Sequence, residues 1–488
     1  MRLPTTPVIP GFHPDPSVCA VGGEFFLVNS SFEYAPAVPV FRSSDLRSWT
    51  QIGHVLERAE QFTPSSTRPS GGVYAPTLRH HDGRFWMITT NVDDGPGQLL
   101  VSATDPGGPW SDPIRVPGAV GIDPDLAWDE DGTAWITWSG ELPPGAQGIL
   151  QARLDLRSGE LGSRPEVLWR GTGGQFPEGP HLYHVHGFWY LLIAEGGTER
   201  GHAVTVARST SISGPYEPAA SSPLLTARST ASPTQSTGHG DLVQRSDGSW
   251  AMVFLGTRPR GSTPAWHVLG RETFAVEVAW EDGWPVIGAP VEPRRPSTSV
   301  EELPASAIPL TWVSPDAFPS DVLSRKREAW TLRPRGGTTF VGRRQEHFFT
   351  RTSARLHPRS GTAALEIRID PSHRVLIETD GARAQAVAVI DDQWFSLGSS
   401  VAVSDVVVEI RTEPARGRAG TPRNGPDQIV LGIRTGSTFT SLGQLDGRYL
   451  STEVAGGFTG RMIGISAAAE TSVASFRYEG TDDATARA

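Results

Sequence analysis

A repeated pattern in about the first 290 residues limits the possible folds of this chain more than any other feature. Five times, a short segment marked by an acidic residue or a proline is followed by a glycine turn and an aromatic-rich strand. The segments begin at Asp15, Ala75, Asp123, Glu178 and His239, roughly 50 to 60 residues apart. Each unit holds three or four short strand patterns and no convincing amphipathic helix. Because so small a sheet cannot bury both faces alone, the repeat predicts an all-β fold that begins with a five-bladed β-propeller.

The phase of the repeat places acidic residues together. The innermost strand of every propeller blade lines the central channel, so residues at equivalent strand starts point toward one channel mouth. We therefore expect Asp15, Asp123 and Glu178 to converge there. Asp125 is a rival to Asp123, but the repeat register pairs Asp123 with Asp15. For each Asp-Pro or Glu-Gly-Pro segment taken alone, the alternative is a simple turn in which the side chain caps its own backbone.

The second part of the chain has a different pattern. From about residue 304 tryptophan becomes scarce, and segments such as residues 363–369 and 405–410 alternate apolar and polar side chains with a period of two. Such alternation is typical of antiparallel strands in a two-sheet sandwich. We predict a propeller at residues 1–295 and a β-sandwich at residues 304–488, with a linker rich in Pro and Ser at residues 291–299.

Composition excludes several classes of protein. A net charge of −10 argues against the basic surface of a nucleic-acid-binding protein. Cys19 is the only cysteine, which excludes an intrachain disulfide and a cysteine-built zinc site. No apolar run reaches the roughly 18 residues of a membrane-spanning helix. Since no apolar segment of signal-peptide length follows Met1, we expect a cytoplasmic protein.

Three carboxylates at one channel mouth are suited to the hydrolysis of a glycosidic bond. One carboxylic acid protonates the leaving oxygen, and one carboxylate activates water or attacks the sugar directly. A third carboxylate can tune the others, because nearby negative charge raises the pKa of a group that must stay protonated. Glu195 is the next candidate for the acid, but it lies beyond the core strand and out of phase with the other acids.

Several segments carry a resemblance to a known enzyme family. Residues 10–17 (PGFHPDPS), 121–124 (GIDP) and 178–183 (EGPHLY) are similar to the three signatures of glycoside hydrolase family 43, in its β-xylosidase and α-L-arabinofuranosidase branch. Residues 343–347 (RRQEH) and 456–460 (GGFTG) resemble motifs of the sandwich appended in that branch, a domain of the jelly-roll, concanavalin-like type. In similar proteins this sandwich lends a loop that closes the channel mouth.

The resemblance also implies roles for single residues. Asp15 corresponds to the general base that activates water, Glu178 to the general acid, and Asp123 to the residue that raises the pKa of the acid and holds it in place. His239 is similar to a channel histidine beside a bound ion or water. Arg271 is similar to a residue that contacts the terminal sugar.

Three aromatic residues, Phe32, Tyr34 and Tyr74, are expected to form stacking walls for the sugar. No metal site built from protein ligands is expected, and catalysis on this account needs no cofactor. A divalent cation such as calcium could occupy the propeller channel near His239. Because similar enzymes often assemble through their sandwich domains, a homo-oligomer is also expected.

The expected function is that of an exo-acting, inverting β-D-xylosidase that releases xylose from the non-reducing ends of short xylo-oligosaccharides. An α-L-arabinofuranosidase, or one enzyme with both activities, is the alternative, because the two sugars present similar hydroxyl patterns. A propeller that only binds glycans is a third interpretation, and the phased acid and base count against it. The expected partner is a small oligosaccharide, with no nucleic acid and no membrane.

Overall fold

The computed structural model describes residues 2–64, 67–142, 145–296, 298–326, 329–400, 406–415 and 424–485. Residue 1 and residues 486–488, which are the outer ends of the two predicted domains, lie outside the described residues. Strands account for nearly all regular structure in the described part of the chain. The helices there are short: α1 (Pro319–Val322), one 3-10 turn (Gly447–Leu450) and α2 (Thr452–Ala455).

Five antiparallel sheets form the first part of the described chain, and each corresponds to one sequence repeat. Blade 1 contains β1 (Ser17–Val21), β2 (Glu24–Val28), β3 (Ala37–Ser43) and β4 (Thr50–Leu56). Blade 2 contains β5 (Thr77–His81), β6 (Arg84–Thr89), β7 (Gln98–Ala103) and β8 (Ile114–Val116). Blade 3 contains β9 (Ile122–Trp128), β10 (Ala134–Leu142), β11 (Ala146–Arg153) and β12 (Glu166–Trp169).

The last two blades complete the set. Blade 4 contains β13 (Glu178–Val185), β14 (Phe188–Glu195), β15 (Ala203–Ser209), β16 (Glu217–Pro218) and β17 (Leu225–Thr226). Blade 5 contains β18 (Gln235–Gln244), β19 (Trp250–Thr257), β20 (Glu272–Glu281) and β21 (Trp284–Pro290). The innermost strands β1, β5, β9, β13 and β18 contact one another in sequence, and β18 contacts β1 again. The five sheets therefore close into the predicted five-bladed propeller.

Tight turns and aromatic side chains explain why each repeat folds as a blade. At the β5–β6 hairpin, Asp82 and Gly83 both have positive φ (50° and 71°), the backbone that a two-residue turn between twisted strands requires. The second strands then bring large side chains between neighbouring blades. The rings of Phe26 in blade 1 and Phe85 in blade 2 lie 5.2 Å apart, edge to face, within a buried apolar cluster.

Two further sheets form a β-sandwich. One contains β22 (Thr298–Glu302), β23 (Leu323–Lys326), β24 (Ala329–Leu332), β26 (Phe349–Pro358), β31 (Val407–Glu413), β32 (Gln428–Thr435), β33 (Thr438–Asp446) and β35 (Thr471–Thr481). The other contains β25 (Thr339–Arg344), β27 (Ala363–Asp370), β28 (His373–Thr379), β29 (Ala384–Ile390), β30 (Gln393–Ser399) and β34 (Met462–Ala467). Alternate side chains from both sheets fill the apolar core between them.

The start of the sandwich differs from the prediction. Strand β22 (Thr298–Glu302) pairs with β35, so the sandwich sheets begin before residue 304 and include the end of the predicted linker. The reason is that the polar residues of β22 add an exposed strand along β35 without contributing an apolar run to the core. The polar residues of β22 therefore indicate an exposed strand and not a linker.

The propeller and the sandwich share a buried apolar interface. Phe12, Phe32 and Tyr34 from the propeller pack with Val313, Phe340 and Met462 from the second part of the chain. Backbone pairing continues the contact, since the Ala35 N–H donates to the Ser314 carbonyl at 2.8 Å. This interface brings the sandwich to the same side of the propeller as the starts of the innermost strands.

None of the helices that the structure describes is long and apolar enough to cross a membrane.

Candidate active site

A cavity of about 300 Å³ lies where the innermost strands begin. Its walls include seven of the eight residues that the sequence singled out: Asp15, Asp123, Glu178, Phe32, Tyr74, His239 and Arg271. The remaining wall residues are Ala75, Ile122, Phe176, Gly197, Thr198, Glu199 and Phe458. The repeat register thus brings residues from all five blades to one mouth of the channel.

A shared backbone conformation directs the polar side chains into this cavity. Asp15, Asp123 and His239 all have φ between 48° and 56°, the left-handed region that residues with a side chain seldom adopt. Asp15 lies just before β1 and Asp123 is the second residue of β9, while His239 lies within β18, where the pairing register shifts. In blade 4 the corresponding position is Gly179, where an added Cβ would lie 2.9 Å from the His239 ring. Strained backbone repeated at equivalent points is typical of functional sites.

Asp15 is buried and ionised. The Ser30 hydroxyl donates to its Oδ2 at 2.6 Å, and Arg271 Nη1 donates to its Oδ1 at 3.0 Å. Burial alone would raise the pKa of Asp15, but the Arg271 charge and the Ser30 hydrogen bond outweigh burial and lower it. Asp15 is therefore a carboxylate at neutral pH, as a general base must be.

The pKa values of Asp123 and Glu178 are shifted in the opposite direction to that of Asp15. Burial and the negative charge of Asp15 raise the pKa of Asp123 to about 7, although the Gly179 N–H donates to its Oδ2 at 3.1 Å. Burial, followed by the charges of Asp123 and Asp15, raises the pKa of Glu178 well above its usual range. The charges of both Asp123 and Asp15 act on Glu178, which favours a proton on Glu178. One cavity therefore contains an ionised carboxylate and a protonated carboxylic acid at neutral pH.

Arg271 and His239 complete the polar floor. Arg271 Nη1 donates to the Thr198 hydroxyl at 3.1 Å as well as to Asp15, while its Nε is buried without a hydrogen-bond partner. Its guanidinium lies 5.6 Å from the ring centres of both Phe32 and Phe458, within the range of cation–π attraction. Burial lowers the pKa of His239 to about 4, so its imidazole is neutral at pH 7. Both residues present nitrogen atoms to the cavity from fixed positions.

The aromatic walls come from both parts of the molecule. Phe458, from the loop after α2 in the sandwich, stacks on Phe32 with ring centres 5.7 Å apart and meets the Tyr74 ring edge-on at 6.0 Å. One residue, Ser70, holds this arrangement together. The Phe458 N–H donates to Ser70 Oγ at 2.9 Å, and the Tyr74 hydroxyl donates to the Ser70 carbonyl at 3.1 Å. The Ser70 N–H in turn donates to the buried carboxylate of Glu33 at 3.0 Å.

Tyr34 does not line the cavity, which corrects the prediction of a stacking wall at this position. Only 1% of the residue is exposed, and its ring packs edge-on against Phe12 at 6.2 Å in the interface with the sandwich. The reason is local. Phe32 and Tyr34 lie in a bridged turn rather than in a regular strand, so a spacing of two does not place both rings on one side.

The two rival acids also lie outside the cavity. Asp125 is fully buried deeper in the channel and forms an ion pair with Arg79 at 2.8 Å. Glu195 accepts hydrogen bonds from the Thr172 N–H at 2.9 Å, in the connection between blades 3 and 4, and from the Thr205 hydroxyl of β15 at 2.6 Å. These partners give both carboxylates structural roles.

Sequence reasoning missed several wall residues. Phe176 is 52% exposed at the rim of the cavity, and Thr198 and Glu199 follow a pair of glycines after β14. The glycine pair was a signal that the chain turns back toward the channel at this point. Phe458 lies in the segment 456–460 already noted as a motif, and the structure shows that this loop reaches the channel mouth, in agreement with the prediction.

The surroundings of His239 do not form a calcium cage of protein ligands. The nearest carboxylate oxygen is Asp15 Oδ1 at 3.8 Å, and this oxygen already accepts from Arg271. Among the described residues no group of three or more His, Cys, Asp and Glu side chains is arranged to hold a metal ion. A hard cation prefers several oxygen ligands, so the protein donors here do not fit one by themselves.

A propeller whose channel mouth holds an ionised carboxylate beside a protonated one has the arrangement of a glycoside hydrolase. The sequence profile described as "Glycosyl hydrolases family 43" matches residues 4–285, which is more than half of the chain. A second profile, "Beta xylosidase C-terminal Concanavalin A-like domain", matches residues 324–479. The chain belongs to glycosyl hydrolase family 43, with the concanavalin-like sandwich as its second domain.

Three relatives illustrate this membership. A "Xylosidase/arabinosidase" of Butyrivibrio fibrisolvens is 43% identical over 59% of this chain and 57% of its own length. The "Non-reducing end alpha-L-arabinofuranosidase BoGH43B" of Bacteroides ovatus is 35% identical over 94% of this chain and 90% of its own. The crystal structure of a xylan beta-1,4-xylosidase from Bacillus halodurans C-125 superimposes with a TM-score of 0.85 at 29% identity, covering 98% of this chain and all of that one.

Proposed function

We propose that this protein is an exo-acting, inverting β-D-xylosidase in which Asp15 is the general base and Glu178 the general acid. Asp15 takes a proton from a water molecule, which attacks the anomeric carbon. Glu178 donates its proton to the leaving glycosidic oxygen as that bond breaks. The product sugar has the opposite anomeric configuration, and solvent returns the two carboxyl groups to their starting protonation states.

The observation that carries the proposal is the separation of the pKa values of the two carboxyl groups. The pKa of Asp15 is lowered by Arg271, whereas the pKa of Glu178 is raised by burial and by Asp123. Two acidic groups with opposite shifts in one cavity provide a base and an acid at the same pH. Asp123 takes the third role, because its charge keeps the proton on Glu178 and its own carboxylate is held by the Gly179 N–H.

The exo mode of action follows from the shape of the cavity. A volume of about 300 Å³ is small, and Phe458 of the sandwich covers one side of it. Phe32, Tyr74 and Phe458 surround the position of one terminal sugar, and Arg271 and His239 supply hydrogen-bonding nitrogens beside it. A chain end fits such a cavity, whereas the middle of a long polymer does not.

An α-L-arabinofuranosidase, or an enzyme with both activities, is the second candidate. The Bacillus halodurans structure is that of a xylosidase, but the Bacteroides ovatus relative, aligned over 94% of this chain, is an arabinofuranosidase. Xylose and arabinofuranose differ in ring size, so the choice depends on how closely Phe458 and Tyr74 approach the sugar.

The cofactor requirement, the partner, the channel cation, the assembly and the location of the protein are further parts of this proposal. Catalysis requires no cofactor, because an acid and a base from the chain supply both proton transfers. The partner is a short, uncharged oligosaccharide. A cation near His239, assembly through the sandwich and a cytoplasmic location stay predictions.

The test uses aryl β-D-xyloside, aryl α-L-arabinofuranoside and xylobiose, with the first-formed sugar anomer observed by proton NMR. We expect hydrolysis of the xyloside and xylobiose with inversion, and single xylose units as the first product from longer xylo-oligosaccharides. Retention of configuration would contradict the roles of Asp15 and Glu178. A preference for the arabinofuranoside with inversion would keep those roles and select the second candidate.

A further inference from the structure

The loop between β14 and β15, residues 196–201, forms part of the wall of the active-site cavity. Its Thr198 hydroxyl accepts a hydrogen bond from Arg271 Nη1 at 3.1 Å, and the same nitrogen donates to Asp15 Oδ1 at 3.0 Å. An Nη nitrogen of arginine carries two hydrogens. Because both bonds use one nitrogen, the position of Thr198 determines how the second hydrogen points at Asp15.

His202, which directly follows this loop, holds the loop in place. It immediately precedes β15 and is 1% exposed. Its Nδ1 lies 2.6 Å from the Gly197 carbonyl oxygen. Since a carbonyl only accepts hydrogen bonds, Nδ1 carries the proton and donates it to this bond. The Gly197 carbonyl belongs to the peptide unit that leads into Thr198, so the ring of His202 fixes the backbone from which the Thr198 side chain projects.

Glycines on both sides make room for this arrangement. At Gly238 in β18, an added Cβ would lie 1.7 Å from Cδ2 of the His202 ring, so a side chain at that position would displace the ring. At Gly196, an added Cβ would lie 2.2 Å from the Gly201 carbonyl oxygen, where the two ends of the loop meet. The loop and the ring are therefore packed as one closed unit against β18.

Packing alone does not explain a histidine at position 202. The other ring nitrogen, Nε2, is buried and has no hydrogen-bond partner among the described residues, which is unfavourable for a polar atom. Burial lowers the pKa of His202 to about 3, so the ring is neutral at pH 7. An apolar side chain of similar size would fill the same space without an unpaired nitrogen. What the histidine adds is the bond from Nδ1 to Gly197.

We propose that His202 is a positioning residue for the general base: by holding the loop of Thr198, it keeps Arg271 directed at Asp15. The inference rests on the proposed function, in which Asp15 is the base. Neutral His202 brings no charge to the site, so its effect on Asp15 passes through the loop and not through space.

The property that reports this positioning is the pKa of Asp15, which sets the low-pH limb of kcat/KM. Burial raises this pKa, and Arg271 is the strongest of the groups that lower it. Glu199 of the loop is exposed, so solvent screens its charge, and moving it affects Asp15 less than losing Arg271 does. The other titratable groups that face Asp15 in the cavity are His239, Asp123 and Glu178.

The first experiment compares His202→Leu with His202→Asn in the full-length protein. The pH dependence of kcat/KM is measured on aryl β-D-xyloside. His202→Leu removes the donor, and its low-pH limb should move to higher pH by up to roughly 1 pH unit, since an opposite charge nearby lowers a carboxyl pKa by about 1–3 units. The amide nitrogen of asparagine takes the place of Nδ1, so His202→Asn should keep the wild-type limb. An unmoved limb in His202→Leu, or equal shifts in both variants, would overturn the proposal.

The second experiment tests the route through Thr198. Thr198→Val removes the hydroxyl that accepts from Arg271 and keeps the shape of the side chain, so it should move the same limb to higher pH. If His202 acts through Thr198, adding His202→Leu to Thr198→Val should move the limb no further, because residues that act as one unit are not additive. Additive shifts in the double variant would contradict this route.

His357→Leu is the matched control, because His357 is an exposed histidine of β26 in the sandwich and its loss should leave the limb in place. If His202→Leu does not fold, His202→Gln replaces it, since the longer side chain carries its amide to the place of Nε2 and should shift the limb in the same way. A wild type without a low-pH limb would reject Asp15 as the base, and this inference with it. A wild-type limb that the folded His202 variants leave unmoved would reject this inference alone.

Discussion

Two layers of carboxylates in the propeller channel have opposite properties, although one strand, β9, carries a residue of each layer. The outer layer contains Asp15, Asp123 and Glu178, with Arg271 as the one arginine beside them. The inner layer contains Asp125 and Asp241. Asp123 and Asp125 are two residues apart on β9, and Asp123, with its positive φ of 56°, lines the cavity, whereas Asp125 does not.

A single arginine forms ion pairs with both carboxylates of the inner layer. Arg79 Nη2 lies 2.8 Å from Asp125 Oδ1, and Arg79 Nη1 lies 2.9 Å from Asp241 Oδ2. Burial would raise the pKa of Asp241, but Arg79 and the surrounding donors lower it to about 2. These donors include the Val18 N–H at 2.9 Å and the Tyr183 hydroxyl. Arg79 therefore holds both inner carboxylates in place by ion pairs.

Carboxylates at the two depths of the channel therefore have different roles, although their side chains are chemically alike. In the inner layer each of the two carboxylates forms an ion pair with the one guanidinium. Three carboxylates around one guanidinium contain an excess of negative charge, and the excess is relieved by holding a proton on Glu178. Catalytic ability thus depends on the ratio of carboxylates to arginines at each depth, and the following experiments test this comparison.

The largest expected effect is on turnover. Asp15→Asn and Glu178→Gln should each lower kcat/KM for xylobiose by about 10²- to 10⁴-fold, the usual contribution of a positioned acid or base. Glu178→Gln should leave the thermal unfolding midpoint almost unchanged, because protonated Glu178 carries no charge. Asp15→Asn should lower the midpoint, because buried Arg271 loses its carboxylate partner. Asp125→Asn is the control from the inner layer. An equal loss of turnover in a well-folded Asp125→Asn protein would erase the distinction between the layers.

The next effect is on stability. Arg79→Met leaves Asp125 and Asp241 buried without their countercharge, and breaking a buried ion pair in this way costs about 3–5 kcal/mol. Urea unfolding should show the loss as a lower midpoint. Arg115→Met provides the control, since Arg115 pairs with Asp94 at the surface, where an ion pair contributes about 1 kcal/mol or less.

A second variant sharpens this result. Adding Asp125→Asn to Arg79→Met removes one of the two uncompensated charges, so part of the stability should return. If the double variant is no more stable than Arg79→Met, charge balance is not what Arg79 provides.

A smaller effect concerns the pH dependence of kcat/KM. Activity should fall at low pH as Asp15, whose pKa is lowered, becomes protonated, and it should fall at high pH as Glu178, whose pKa is raised, loses its proton. Asp123→Asn removes a negative charge beside Glu178, so the high-pH limb should move to lower pH. Asp125→Asn should leave the limb in place, because Arg79 already balances that charge. A shift of equal size in both variants would contradict the account.

The smallest expected effect tests the contact between the domains. Ser70→Ala removes the hydroxyl that accepts from the Phe458 N–H, which loosens one aromatic wall of the cavity. A hydrogen bond of this kind contributes about 0.5–1.5 kcal/mol, so KM should rise roughly 2- to 10-fold while kcat changes less. Ser211→Ala, at an exposed serine of blade 4, is the control. A loss confined to kcat would mean that Ser70 acts on the acid or base instead of the wall.

The outer layer could be predicted from the sequence because its geometry follows from repetition. Equivalent strand starts meet at one channel mouth, and acids at or next to the same phase in three repeats are visible without a structure. The phase of the repeat also favoured Asp123 over Asp125 as the residue at the channel mouth. The family resemblance added the roles, and the phase alone predicted the meeting of Asp15, Asp123 and Glu178.

The inner layer and the aromatic walls could not be predicted in the same way. Arg79 belongs to blade 2, and the segment that opens this repeat, residues 75–78, contains no acid. Nothing in the sequence therefore connects Arg79 with Asp125 and Asp241. Tyr34 lies outside the wall, because the irregular turn around it directs its ring into the interface with the sandwich. The position of Phe458 depends on how the sandwich docks, which is a property of tertiary packing rather than of any local pattern.

The roles of Asp15 as base and Glu178 as acid are tested most directly by the dependence of the rate on the leaving group. Glu178→Gln and Asp15→Asn are each compared with the wild type on xylobiose and on an aryl xyloside with a strongly acidic phenol as leaving group. Such a phenol departs without protonation, so the loss caused by Glu178→Gln should be large on xylobiose and small on the aryl xyloside. The loss caused by Asp15→Asn should be large on both. Equal losses on the two substrates for Glu178→Gln would contradict its role as the acid.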